Sequence, residues 1–202
     1  MLRTHQGART DRLVGVCAHR GVSLALAAAI AVTDHAVHQQ QLPFLWRALM
    51  DEPCHLATAM IVLGSLARWR GRPPSSRFVW AMLSASVLID LDHLPLEFGS
   101  RVLTAGTPRP YTHALWVLVL LAMTAAAAHH RSQVSRSARA GTVAVIAAGA
   151  AWGVAAHFLR DVATAPIALW WPVSSSDVTV PGYWYLAALL ALATLPPPRA
   201  RP

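Results

Sequence analysis

The stretch LIDLDHLPLEF, residues 88–98, places two carboxylates and an imidazole directly after a run of apolar residues. Asp90, Asp92 and His93 are costly to bury unless they are paired or bind a cation. Asp90 and His93 are three residues apart and share a helical face. Because Asp92 would point away from that face in a continuous helix, we expect the helix to end near residue 91 and to turn both carboxylates inward. The segment is therefore a candidate metal site.

Pairs of an acid and a histidine recur elsewhere in the chain at a spacing of four residues. They are Asp34 with His38, Asp51 with His55, and His157 with Asp161. Residues four apart lie on one helical face, so each pair can supply two ligands to one site. Pro53 predicts that the helix carrying His55 begins there, with residue 51 or 52 near its cap. His113 precedes another apolar run, and Thr112 before it is a candidate helix cap.

These groups are predicted to converge on a bound cation. Carboxylates that pack together repel and raise one another's pKa unless a cation offsets their charge. Mixed imidazole and carboxylate ligands suit zinc, manganese or iron better than calcium. We predict one or two divalent ions, with zinc preferred and manganese, iron or magnesium left open. The predicted ligands are His55, Asp90, Asp92, His113, His157 and Asp161.

The composition is that of a membrane protein or of a very apolar helical bundle. Of 202 residues, 55% are hydrophobic and 13% are charged, against a charged share of roughly 25% in soluble domains. Six apolar runs predict helices: Val22–Val32, Leu56–Ala67, Phe78–Ile89, Ala114–Ala128, Thr142–Ala156 and Tyr183–Leu195. Each is shorter than the about 20 residues that span a bilayer, so each helix must continue through polar residues facing the bundle interior. The prediction is an all-α transmembrane bundle of about six helices, and a soluble all-α domain is the alternative.

The arginines favour the membrane interpretation because they segregate to alternate loops. With six crossings and a cytoplasmic N-terminus, only four of the 17 fall outside: Arg47, Arg101, Arg109 and Arg160. Cytoplasmic loops of membrane proteins carry such an excess. We therefore predict one plasma-membrane domain, residues 1–195, with a basic cytoplasmic segment at 1–21 and a disordered tail at 196–202. The predicted ligands then face outward. Cleavage of the first apolar run as a signal peptide, after the AIA at 29–31, is left open.

Two other classes of site are disfavoured by the sequence. The net charge of +8 comes from arginine alone, and no segment combines a basic stripe with stacking aromatics, so we do not expect nucleic-acid binding. Cys17 and Cys54 are far apart and form no CxxC pattern, so we expect two unpaired thiols.

The chain also resembles a bacterial family of membrane-bound metal-dependent hydrolases, which includes a LexA-regulated, SOS-induced inner-membrane protein. The resemblance is carried by EPCHLATAMIVLGSL, LIDLDHLP, RPYTHALW and AAHFLRDVATAPIALWWP, over about residues 52–172. It implies the polar residues His55, Asp90, Asp92, His93, Thr112, His113, His157, Asp161 and Thr164. The chain departs from the family where His-Arg-Gly is expected before the Thr-His pair, since it has Pro108, Arg109 and Pro110.

The predicted function is hydrolysis of a phosphoester by a metal-activated water. Arg109, with Arg160 as a second candidate, could neutralise a substrate phosphate. His93 is the candidate general acid or partner of a ligand, and Thr112 completes the candidate catalytic residues. A site that opens at the outer leaflet makes a lipid or lipid-linked headgroup the expected substrate. The alternatives are a magnesium-dependent enzyme acting on a prenyl diphosphate, such as a cyclase or phosphatase, and a metal-ion transporter. The oligomeric state is left open.

Overall fold

The computed structural model describes residues 2–39, 44–104, 107 and 109–196, and over these residues it is helical without a β-strand, as predicted. The helices are α1 Leu2–Ala18, α2 Arg20–Gln39, α3 Phe44–Arg70, α4 Ser76–Leu88, α5 Leu94–Glu97, α6 Leu115–Ser135, α7 Ala138–Thr164 and α8 Gly182–Thr194. A 3-10 helix, Ile89–His93, joins α4 to α5. Most of the predicted disordered tail, residues 197–202, lies outside the described residues.

The six predicted apolar runs coincide with α2, α3, α4, α6, α7 and α8, and most of these helices extend beyond the runs through polar residues. Among the described residues, three segments are long and apolar enough to cross a membrane: Arg20–Val37, Ser76–Glu97 and Ala138–Thr164. α8 is apolar but has only 13 residues. Large apolar side chains point away from the bundle, among them Leu120 and Met123 of α6. An outward apolar surface suits lipid, so the fold is that of a helical membrane bundle.

The helices are arranged so that their termini collect at two ends of the bundle. At one end, Arg77 of α4 donates a hydrogen bond of 2.8 Å to Thr142 of α7. At the same end, Arg68 of α3 donates to the carbonyl oxygens of Ala18 and Leu192. We call this the arginine end. The opposite end, called the site end, joins the C-terminal ends of α2, α4 and α7 to the N-terminal parts of α3, α6 and α8.

α4 and α7 run parallel with their backbones in close contact. A Cβ added at Gly149 would lie 2.4 Å from the carbonyl oxygen of Phe78, and one at Gly153 would lie 2.2 Å from that of Met82. Small residues spaced by four allow two membrane helices to approach this closely. One turn further along α7 stands His157, so this contact sets the distance between α4 and a predicted ligand.

The basic N-terminal segment forms a helix that the sequence analysis did not anticipate. Thr10, Val14 and Cys17 of α1 are buried. α1 approaches α3 closely, because a Cβ at Gly64 would lie 2.0 Å from the carbonyl oxygen of Cys17. Cys17 and Cys54 are both free and buried, as predicted.

Candidate metal centre

Four segments of the chain deliver ligand-type side chains to the site end. They are α3, the 3-10 helix, the residues just before α6, and the last turns of α7. All six predicted ligands meet here, joined by His93, in two groups that could hold metal ions: Asp90, Asp92, His93 and His113 in one, and His55, His157 and Asp161 in the other. We call them the 3-10 group and the α7 group.

The α7 group is completely buried. His157 Nε2 lies 3.1 Å from Asp161 Oδ2, and His55 Nε2 lies 3.6 Å from Asp161 Oδ1. The imidazole rings of His55 and His157 stack with centroids 3.9 Å apart. Two imidazole nitrogens and a carboxylate therefore point into one small volume, which is a donor set of the kind that zinc prefers.

The 3-10 group is half-buried apart from its fully buried His113. His113 Nε2 lies 3.1 Å from Asp90 Oδ1, and its Nδ1 lies 3.3 Å from Asp92 Oδ2. His93 Nε2 lies 3.5 Å from Asp90 Oδ1 and 3.9 Å from Asp92 Oδ1. The two carboxylates thus face the same two imidazoles.

The two groups are contiguous. His113 Nε2 lies 3.2 Å from His157 Nε2 and 3.4 Å from Asp161 Oδ2. Asp90 reaches the α7 group as well, since its Oδ1 lies 3.5 Å from His157 Nε2. Paired ions in two-metal sites stand about 3.5–4 Å apart and share ligands, so the arrangement suits two ions bridged by a carboxylate as well as one.

Several ligand atoms are buried and have no hydrogen-bond partner. They are both ring nitrogens of His55, both carboxylate oxygens of Asp92, Nε2 of His93, Nδ1 of His113 and Oδ1 of Asp161. Burying a polar atom without a partner costs about 1–3 kcal/mol, and more for a charged group. Bound divalent cations would satisfy these atoms and offset the clustered carboxylates. The residues therefore fit a divalent metal.

The local conformation explains how the 3-10 helix presents its side chains. α4 ends at Leu88, close to the predicted end, and the chain continues as a 3-10 helix. With three residues per turn, side chains three apart are eclipsed, so Asp90 and His93 lie on the same face of the 3-10 helix. Asp92 still reaches His113 from the neighbouring position. The predicted inward turn of both carboxylates is confirmed.

Contacts with neighbouring groups influence the protonation of two of the imidazoles. His157 Nδ1 donates a hydrogen bond of 2.9 Å to the backbone carbonyl of Ser86, so that in the neutral ring Nε2 carries the lone pair that can bind metal. For His113, burial disfavours the charged form, but the nearby carboxylates of Asp90, Asp92 and Asp161 outweigh it and raise the pKa of His113 to about 9. A metal ion must displace this proton when it binds.

The three candidate catalytic residues lie at the site with different surroundings. Arg109 Nη1 donates to Asp161 Oδ2 at 2.7 Å. His93 belongs to the 3-10 group itself. Thr112 has a buried hydroxyl without a hydrogen-bond partner, but it does not cap a helix. That prediction was wrong, because α6 begins at Leu115 with Ala114 in the cap position and no side-chain cap bond.

The sequence analysis predicted that the helix carrying His55 begins near Pro53, and this prediction was wrong. α3 runs from Phe44 through Pro53 to Arg70. Asp51 and Glu52 therefore lie within the helix, one turn before His55, and not at its cap. Glu52 lies beside Asp90 and has a buried carboxylate oxygen without a partner. Sequence reasoning missed Glu52 as a site residue, although its spacing of three from His55 was a usable signal.

Arg160 is not available to bind a substrate phosphate, which corrects a further prediction. Its side chain is buried and donates to Asp34 and Asp51. Asp34 therefore faces Arg160 and belongs to neither ligand group. His35 is exposed, and the side chain of His38 lies outside the described residues.

Comparison with known proteins gives a family and no close relative. Neither a curated protein nor a solved structure matches the chain. The family model described as "YdjM inner membrane protein" matches residues 50–198, which include every predicted ligand and leave α1 and α2 outside. With candidate membrane spans in the structure and most of its length matched, the chain belongs to the YdjM inner membrane protein family.

Proposed function

We propose that the protein is a metal-dependent hydrolase that cleaves a phosphoester of a membrane lipid or a lipid-linked headgroup. One observation carries the proposal: seven side chains of ligand type, drawn from four segments, converge with buried ligand atoms that have no hydrogen-bond partner. Such a cluster is costly to maintain in the metal-free state. Its cost is explained if it holds divalent ions for catalysis.

The chain's own residues suit phosphoester hydrolysis. Divalent ions held at such a site act as Lewis acids, which lower the pKa of a water toward about 7 and polarise a phosphoryl oxygen. Arg109 presents several N–H donors, of which one bonds Asp161, so others can contact a phosphate oxygen. His93 is the most accessible imidazole of the cluster. If His93 does not itself ligate an ion, it can hold or release a proton at Nε2.

The surroundings of the site support a substrate that resides in the membrane. Large apolar side chains are exposed on the segments of the site end: Trp46, Leu49, Leu91, Leu94, Phe98, Val102, Trp170, Tyr183 and Trp184. Aromatic side chains of this kind are typical of the membrane–water boundary. A metal centre at that depth is reached more readily by a lipid headgroup than by a water-soluble metabolite.

The proposal is tested by metal content and hydrolysis with the purified full-length protein. Removing a ligand should cost more than the about 10–100-fold in metal affinity that outer-shell partners contribute. We therefore expect Asp161→Asn to lose bound zinc or manganese by mass spectrometry while keeping its helicity. It should also lose headgroup or phosphate release from a panel of phosphoesters and phospholipids.

The matched control is Asp177→Asn, which neutralises an exposed aspartate in the loop after α7. It should retain the wild-type metal content and activity. Equal metal content in the wild type and in Asp161→Asn would contradict the metal centre. Metal binding without headgroup or phosphate release from any phosphoester would contradict the proposed hydrolysis.

A further inference from the structure

Arg160 forms a buried junction between four helices. It lies on α7, and only 2% of its surface is exposed. Its Nη2 lies 2.7 Å and its Nη1 3.3 Å from the two carboxylate oxygens of Asp34 on α2. Its Nε donates at 2.8 Å to Asp51 Oδ1 on α3. Its guanidinium carbon also stands 5.9 Å from the ring centroid of Tyr185 on α8.

Asp51 connects this junction to the metal centre. One of its carboxylate oxygens accepts from Arg160, and the other, Oδ2, lies 3.5 Å from Nε2 of His55. Asp34, Arg160, Asp51 and His55 therefore form a continuous series of polar contacts. It begins on α2, outside the residues that match the family, and ends at a predicted metal ligand.

The series has a specific consequence because Asp51 makes the shortest of the three carboxylate contacts of His55 Nε2. Neither ring nitrogen of His55 makes a hydrogen bond. The side chain of Asp51 is 36% exposed, so it could turn toward solvent if Arg160 did not hold it. The planar fork of arginine binds two carboxylates in a defined geometry that a lysine cannot reproduce.

We propose that Asp34 and Arg160 are positioning residues which hold the Asp51 carboxylate beside Nε2 of His55 and so fix the ligand geometry at this nitrogen. The inference rests on the proposed metal centre and adds α2 to the elements that determine its geometry. Asp51 contacts the same nitrogen of His55 that faces Asp161, so its carboxylate lies at the edge of the metal centre. Partners that hold a carboxylate at a metal centre contribute about 10–100-fold to metal affinity.

The test uses cobalt(II), whose visible absorption bands report the geometry of its ligands. Purified wild-type protein and the Asp34→Asn variant are titrated with cobalt(II). We expect Asp34→Asn to bind cobalt about 10-fold or more weakly, with shifted bands, while its helicity stays at the wild-type level. Asp51→Asn should give the same spectral change, and the double variant should add little to it, because the residues act through one series of contacts.

Ser137→Ala separates positioning from stability. It removes the hydrogen bond that the Ser137 side chain accepts from the backbone N–H of Ala140 at the start of α7, at the opposite end of the helix from Arg160, and it leaves the contacts between Asp34, Arg160 and Asp51 in place. It should lower the unfolding temperature and leave the cobalt spectrum unchanged.

The outcomes separate this inference from the metal centre itself. A wild-type protein that takes up no cobalt overturns both. A wild-type protein that binds cobalt, with an Asp34→Asn variant of equal affinity and identical spectrum, overturns the positioning role alone. So does a Ser137→Ala variant with the same spectral change as Asp34→Asn, since the effect would then follow from destabilisation.

Discussion

At the scale of single residues, the two buried histidines of the α7 group are held in different ways. His157 has one nitrogen bonded to a backbone carbonyl and the other directed at Asp161. His55 faces three carboxylates at 3.5–3.8 Å without a hydrogen bond to any of them. A bound cation between His55 and these carboxylates would turn this loose arrangement into a fixed one. The contrast makes His55 the ligand most dependent on its surroundings.

The contacts of Asp92 predict a change in metal stoichiometry. Asp92 contacts His113 and His93 of the 3-10 group, and both its oxygens lack hydrogen-bond partners. If each group holds one ion, Asp92→Asn should reduce the bound metal from two ions per chain to one, and His55→Ala should do the same at the other group. Metal analysis of protein dialysed at a fixed free zinc concentration measures this ratio.

Asp177→Asn and His130→Ala serve as controls for the stoichiometry, because both side chains are exposed and lie outside the two groups. Both should keep the wild-type ratio. A wild-type ratio of one ion, lost completely in Asp92→Asn and in His55→Ala alike, would mean that the two groups form a single-ion site.

At the scale of elements, the contact between α4 and α7 explains why His157 reaches its carbonyl partner. Gly149 and Gly153 remove two side chains from the contact face, and His157 follows at the same spacing of four. The helices are thereby close enough for an imidazole to reach a backbone carbonyl across the interface. The same approach places the end of α4, and with it the 3-10 helix, against the ligands of α7.

Gly153→Ala tests this dependence. Its new Cβ would stand 2.2 Å from the carbonyl oxygen of Met82, a backbone atom that cannot move without separating the helices. We expect a loss of stability of about 1–3 kcal/mol, as for other overpacked contacts. Because the distance from His157 to Ser86 should also lengthen, metal affinity should fall. Thermal unfolding and zinc titration measure the two effects.

The control for this prediction lies on the same helix. A Cβ at Gly141 would meet only Ser132, at 3.8 Å, and alanine favours a helix over glycine by up to about 1 kcal/mol. Gly141→Ala should therefore keep or raise the stability and keep the metal affinity. Equal behaviour of the two variants would show that the close approach does not position the metal ligand.

The elements also show what the sequence could and could not predict. The spacing of His157 and Asp161 is a local property of a helix, so it correctly predicted that both point into one site. The predicted start of the helix containing Pro53 was too far along the chain, because a proline at a helix start and one inside a long helix look alike in sequence. The partners of Arg160 come from residues more than 100 positions away, and no local pattern reveals them.

At the scale of the whole molecule, charge is divided between the two ends of the bundle. The carboxylates and imidazoles of the candidate metal centre lie at the site end, and Arg68 and Arg77 lie at the opposite end. From the positive-inside rule we propose that the arginine end lies in the cytoplasm. The metal centre would then face outward. This orientation favours an outer-leaflet lipid over a prenyl diphosphate, because prenyl diphosphates are made in the cytosol.

Cysteine labelling in intact cells tests the orientation. Ser176→Cys introduces an exposed thiol at the site end, and Ser135→Cys introduces one at the arginine end. The native thiols of Cys17 and Cys54 are buried, so the unmodified chain gives the background. A membrane-impermeant maleimide should label Ser176→Cys in intact cells and Ser135→Cys only after permeabilisation. The reverse pattern would mean that the metal centre faces the cytoplasm. There the same cluster of carboxylates would bind a diphosphate through magnesium. The expected substrate would then be a prenyl diphosphate and not an outer-leaflet lipid.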